Sequence, residues 1–175
     1  MKGDGKFAAR VALFSALAYV AALVSIFIPN VSLSFVVIFA AGTLFGFKTG
    51  LAVGGLGEFL WTIFNPLGMA PFPTTCAQVT AMLLVGGSGA LAAGRSYSAR
   101  TSTLGFAAYA LFGLMAGLIF QIVVNGVDTL LYGRSWKYLA AGLVFSLATI
   151  ISNAVLFPLF YPVVVRLTAR VRRMS

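Results

Sequence analysis

Residues 11–47 read VALFSALAYVAALVSIFIPNVSLSFVVIFAAGTLFGF, a run without one charged side chain. A helix that crosses a membrane needs roughly 20 apolar residues, so this run has the length for two. Pro29-Asn30 marks where it divides, because that pair initiates a turn and proline cannot continue a helix. Lys48-Thr49-Gly50 turns the chain again. The reading predicts a first helix over residues 7–28, a second over 32–47 and a third over 50–65, the last ending at Asn65-Pro66-Leu67-Gly68.

The same pattern fills the rest of the chain. Residues 59–94, 101–127 and 138–165 also lack charge. Residues up to Thr75, with Pro71 and Pro73, read as an ordered loop, followed by helices over 76–93, 104–131 and 139–167. The expected fold is all-α: a six-helix membrane bundle forming one integral domain over residues 1–175. Helices 2 and 3 are short for full spans, and their fusion into one long helix is the competing count. Composition agrees with a membrane protein. Of 175 residues 61% are apolar, with twelve Lys or Arg against three Asp or Glu, and the mean hydropathy is +1.02. A soluble domain would carry about a quarter charged residues, so the excess apolar area must face lipid. One Cys and no His exclude a disulfide framework, Cys/His zinc sites and every mechanism that needs an imidazole.

The charges that remain set the orientation. Lys2, Lys6, Arg10, Lys48, Arg95, Arg100, Arg166, Arg170, Arg172 and Arg173 fall on one side of a six-span bundle, and only Arg134 and Lys137 on the other. Basic residues near span ends mark the cytoplasmic side, so both termini are expected inside. The net charge of +9 does not indicate nucleic acid, because these residues sit between and after apolar runs rather than on one wet surface. The basic tail after Val165 is expected to anchor the last helix at anionic headgroups. Residues 11–28 exceed a secretory signal core and further spans follow, so the first helix reads as a permanent span.

Small residues recur at four-residue spacing. Ala8, Ala12 and Ala16 form one such series on helix 1, and Ala18 and Ala22 repeat the interval on a nearby face. Such faces let helices approach closely in lipid, within one chain or between chains. Gly42, Gly46, Gly50 and Gly54 continue the interval and read as internal packing positions. Six helices in a chain of this length, the opening Ala12-Leu13-Phe14-Ser15-Ala16-Leu17, the segment Phe39-Ala40-Ala41-Gly42-Thr43-Leu44-Phe45-Gly46, residues 58–68, Gln78 and Gly86-Gly87 together resemble the substrate-binding S components of energy-coupling factor (ECF) vitamin transporters. The resemblance implies a multi-pass protein of the prokaryotic plasma membrane that works with a membrane-embedded T component and two ATPase subunits. It assigns to Ala8, Ala12 and Ala16 the docking face for the T component. It also implies that ATP is used by the partners and that this chain binds no cofactor of its own.

Polar groups inside spans are costly and mark function. Glu58, Trp61 and Asn65 share a face of helix 3 at i, i+3 and i+7; Gln121, Asn125 and Asp128 do so on helix 5 at i, i+4 and i+7. Gln78 opens helix 4 on the same side, and Asn153 on helix 6 and Tyr19 on helix 1 are expected at the floor. These residues are the expected substrate contacts. A few directed polar groups among aromatic walls suit a small heterocycle, and two carboxylates, if ionised, favour a cationic or donor-rich one. Interhelical hydrogen bonding is the alternative use for each amide. Tyr132, Trp136 and Tyr138 form either a lid or an interfacial belt.

Three function classes remain. Gly86-Gly87-Ser88-Gly89 lacks the lysine of a phosphate-binding loop, so ATP hydrolysis is not expected here. Catalysis would need a nucleophile with a base, or a metal, and Glu58, Asp128 and Cys76 lie on different helices, so neither an enzyme nor a metal site is expected. The first reading is therefore a membrane subunit that captures a vitamin-like molecule from outside and delivers it through an ATP-driven complex. The alternative is a self-contained ion-coupled transporter or channel using Glu58, which ATP dependence with added partner subunits separates from the first. A scaffold without ligand would show no thermal shift with any vitamin.

Overall fold

Turn chemistry and helix capping divide the apolar runs into six helices. The computed structural model describes residues 2–93, 101–133 and 136–173. Its helices are α1 (Lys2–Ser25), α2 (Ser34–Phe45), α3 (Phe47–Ile63), α4 (Phe72–Ala92), α5 (Thr103–Tyr132) and α6 (Trp136–Arg173). The all-α reading and the number of helices hold among the described residues, while several boundaries move. The break between α2 and α3 is Gly46 alone, at φ 90°, a backbone region that favours glycine; Lys48 and Gly50 lie inside α3. Helix α4 starts at Phe72 rather than Cys76. Pro71 and Pro73 belong to its start, where a missing N–H costs nothing because the first turn has no intrahelical acceptor. Ser102 caps α5 by accepting the Gly105 amide at 3.1 Å, and Gly133 ends it in the left-handed region. Helix α6 runs through Pro158 and Pro162.

Among the described residues, four helices are long and apolar enough to cross a membrane: Asp4–Ser25, Phe72–Ala92, Thr103–Tyr132 and Gly142–Arg173. Helices α2, with 12 residues, and α3, with 17, fall short of the roughly 20 required. They form a hairpin in which the longer helices enclose α2, while α3 packs against α1, α2 and α4 and leaves Phe47, Leu56, Phe59 and Ile63 exposed. Helix α2 packs against α1, α3, α4 and α6 and buries nine of its twelve residues.

Glycines allow this central packing. A Cβ at Gly50 would meet the Gly86 carbonyl, one at Gly86 would meet the Gly50 carbonyl, and one at Gly54 would meet that of Met82. Gly42 and Gly89 make equivalent approaches between α2 and α4. The glycine interval is thus internal packing at Gly42, Gly50 and Gly54, whereas Gly46 is the turn. The two alanine series on α1 separate: Ala18 and Ala22 are buried, Ala18 against Gly57, while Ala8, Ala12 and Ala16 are exposed.

Because successive helices reverse direction, the α1–α2 and α3–α4 loops and the α5–α6 turn share one end of the bundle. The start of α1, the end of α6 and the α2–α3 turn share the other, along with Lys6, Arg10, Lys48, Arg166 and Arg170. Toward that basic end the core is aromatic. Phe39 stacks with Phe157 at 4.9 Å and Phe112 at 5.2 Å, and Tyr109 with Tyr161 at 4.6 Å. These rings, the tyrosines Tyr109 and Tyr161 among them, fill the core below the polar end.

Candidate substrate-binding site

Above the aromatic layer lies a cavity of about 240 Å³, below the roughly 300–1,000 Å³ of drug-sized ligand pockets. Phe35, Met82 and Phe120 supply apolar wall, and Ser25, Ser34 and Thr149 add hydroxyls. Phe35 and Phe120 meet edge to face at 5.2 Å, one helical turn above Phe39.

Four of the residues expected at the site line this cavity: Glu58, Trp61, Gln78 and Gln121. Glu58 is 3% exposed. It makes no hydrogen bond or ion pair with a described residue, and its carboxylate borders the cavity. Its neighbours at the site are held in place by others. Thr62 donates to Gln78 Oε1 at 3.3 Å. Asn125 Nδ2 and the Ser146 hydroxyl both donate to Gln121 Oε1, at 3.0 and 3.1 Å. The ring of Trp61 is braced by Tyr19 at 6.3 Å, whose hydroxyl donates to the Phe64 carbonyl at 3.0 Å.

The other four do not line it. Asn65 lies beyond the end of α3, where its Oδ1 accepts the Leu67 amide at 2.9 Å in a tight turn. Asn125 acts through Gln121 and also bonds Ser146 at 3.2 Å. Asp128 accepts the Thr74 hydroxyl at 2.8 Å, tying α5 to α4 near the mouth of the bundle. Asn153 is fully buried, and its Nδ2 donates to the Thr149 carbonyl at 2.9 Å. Only one of the two inner carboxylates therefore faces the cavity, because the seven-residue spacing of Gln121 and Asp128 separates them by about 10 Å along α5. Tyr19 supports the wall rather than forming the floor. Tyr132 is exposed, and the side chains of Trp136 and Tyr138 lie outside the described residues.

A family model, "ECF transporter, substrate-specific component", matches residues 6–161, nearly the whole chain, taking in α2 to α5 and most of α1 and α6. The chain belongs to that family. Comparison with curated proteins and with solved structures gives no match. As an ECF S component the chain is a multi-pass membrane protein and a substrate-binding subunit of a transporter, and members of the family are transporter subunits rather than enzymes. Membership implies a small-molecule substrate and association with a T component and ATPases.

Sequence reasoning missed one side of the S component's cavity. The α1–α2 loop, read only as a break, contributes Pro29, Asn30, Val31 and Ser32 to the lining. The loop is tied in place: Ser25 Oγ accepts the Leu33 amide at 3.0 Å, and Ser152 on α6 donates to the Asn30 carbonyl at 3.2 Å. A signal was present in the hydroxyls Ser25, Ser32 and Ser34, which flank Pro29-Asn30 at the same end of the bundle as Gln78 and Gln121. Small hydroxyls are common in turns, so their number alone did not single them out.

Proposed function

We propose that this S component captures a small vitamin-like molecule from outside the cell in the cavity around Glu58, Trp61, Gln78 and Gln121. It then delivers the molecule through an ATP-driven complex with a T component and two ATPase subunits in the prokaryotic plasma membrane. The observation that carries this reading is the Glu58 carboxylate, withdrawn from solvent and turned to a cavity instead of to a protein partner. Burying a charge-bearing group without a partner is costly, and a site that must recognise a polar ligand supplies the reason. The size of the cavity suits a heterocycle smaller than a drug-sized ligand. The experiment is mass spectrometry of small molecules retained by the purified protein. One organic molecule at near-stoichiometric amount is expected, and its loss from a Trp61→Ala, Gln121→Ala double variant places it in this cavity. Recovery of no molecule, and no thermal shift with any vitamin tested, rejects capture.

The reading includes a single integral domain of six spans with both termini cytoplasmic, α2 and α3 crossing as a hairpin. A short α2 suffices because neighbouring helices, not lipid, cover most of it. It follows that in a Cys76→Ser background Leu67→Cys, in the α3–α4 loop, is labelled by an impermeant maleimide on intact cells. Lys48→Cys should be labelled only after permeabilisation. The opposite pattern inverts the orientation drawn from the basic residues.

A further inference from the structure

We infer that the occupant of the cavity is a small planar heterocycle with a cationic or N–H-bearing edge that faces Glu58 and acceptor atoms that face Gln78 and Gln121. The inference rests on the capture reading above and narrows its substrate class. Three observations carry it. The first is Glu58, buried at 3% exposure on the cavity wall, where its oxygens offer acceptors that no described residue uses. No Lys or Arg among the described residues lines the cavity, so a positive or donor partner for this carboxylate is left to the ligand. The second is the orientation of the two amides. Gln121 Oε1 accepts from both Asn125 and Ser146, which fills its two lone pairs, and Gln78 Oε1 accepts from Thr62 on one of its two. This leaves Nε2 as the hydrogen-bonding group of Gln121 available to the cavity, and at Gln78 the Nε2 together with one remaining lone pair of Oε1; an amide nitrogen only donates. The third is the wall itself. Trp61, Phe35 and Phe120 present rings to the same space, and aromatic faces attract a flat cation.

The site therefore carries an asymmetric pattern, an acceptor at α3 and donors at α4 and α5. An anion would set its charge against Glu58. Asp128, paired with Thr74, does not add a second carboxylate, so a single positive group is the match.

Benzamidinium, benzamide and benzoate share a planar frame and differ in charge, and calorimetric titration of the purified full chain with each reads the pattern directly. Benzamidinium is expected to bind at least about tenfold more tightly than benzamide, with benzoate weakest. In Glu58→Gln, which keeps the shape and removes the charge, the ratio should collapse toward one while gel filtration stays unchanged. Equal binding of the three probes, or tightest binding of benzoate, overturns the inference and leaves capture standing. A ratio that persists in Glu58→Gln overturns the assignment to Glu58. Should that variant fail to fold, the wild-type ratio decides by itself. If no probe binds, the molecule retained on purification decides: a cation or amino-heterocycle supports the inference, and an anion or a molecule without N–H donors overturns it. No probe bound together with no molecule retained rejects the capture reading, and this inference with it.

Discussion

Ala12→Trp and Ala16→Trp are expected to abolish ATP-driven uptake while leaving ligand binding intact. Both residues are exposed on α1, flanked by Leu13 and Leu17, which are also exposed, so an indole there displaces lipid and disturbs nothing inside the bundle. In lipid, helices associate by close van der Waals approach of small residues. A ring at either position holds a partner helix several ångströms away and removes most of that contact. The measurement is uptake in liposomes containing the T component and ATPases, paired with calorimetric binding by the isolated chain and co-purification of the complex. Normal recovery of the complex from the Trp variants would show that the docking face lies elsewhere. Ala18→Trp provides the contrast. Ala18 is 1% exposed and lies beside Gly57, where a Cβ would sit 3.2 Å from the Ala18 methyl, so the same substitution two residues along is expected to prevent folding. Two series with one spacing thus give opposite outcomes.

The second large effect concerns the glycine seam. Gly86→Val is expected to remove the folded protein from detergent gel filtration, at a cost of about 3 kcal/mol or more, the upper part of the range for overpacked cores. Its Cβ would meet the backbone carbonyl of Gly50 and come within 3.1 Å of Ile38. Backbone cannot rotate aside as a side chain can, so α3 and α4 would have to separate. Separation would also shift Glu58 and Gln78, which the two helices bring to one cavity. Any protein that survives should therefore bind weakly. Gly126→Ala is the control: nothing lies within 4 Å of a Cβ there, and replacing a helical glycine with alanine is expected to leave stability unchanged or raise it by up to about 1 kcal/mol. A monodisperse Gly86→Val variant with wild-type melting temperature would refute the close approach of α3 and α4.

The helices and their lipid environment were legible in the sequence because both are local matters. A charge-free run of the required length has no soluble alternative, and backbone hydrogen bonds within one segment are what lipid demands. Pro29-Asn30 and Asn65-Pro66 marked turns for the same local reason. The polar end of the bundle also followed, since alternating direction puts Gln78, Gln121 and Asn125 at one end once the helices are counted.

Which residues meet was a different matter. Helical spacing fixes a face and leaves open the rotation of one helix about another and their axial offset. Ala12 and Ala18 were equally good packing candidates until α3 was seen to lie against Ala18. Gln121, Asn125 and Asp128 share a stripe about 10 Å long, and a cavity of about 240 Å³ reaches only one end of it. Ser146 and Thr74 on neighbouring helices take up the rest. Asn65 shares its face with Glu58 only while α3 continues, and the helix ends at Ile63. The α1–α2 loop enters the wall because Ser152, 122 residues away in sequence, holds Asn30. Six apolar helices, and the end at which their polar groups collect, follow from local sequence. That Glu58 alone among the described carboxylates lines the cavity depends on how α3 is rotated against α1, α2 and α4. Close glycine contacts set that rotation between helices distant in sequence, and no spacing along a single helix encodes it.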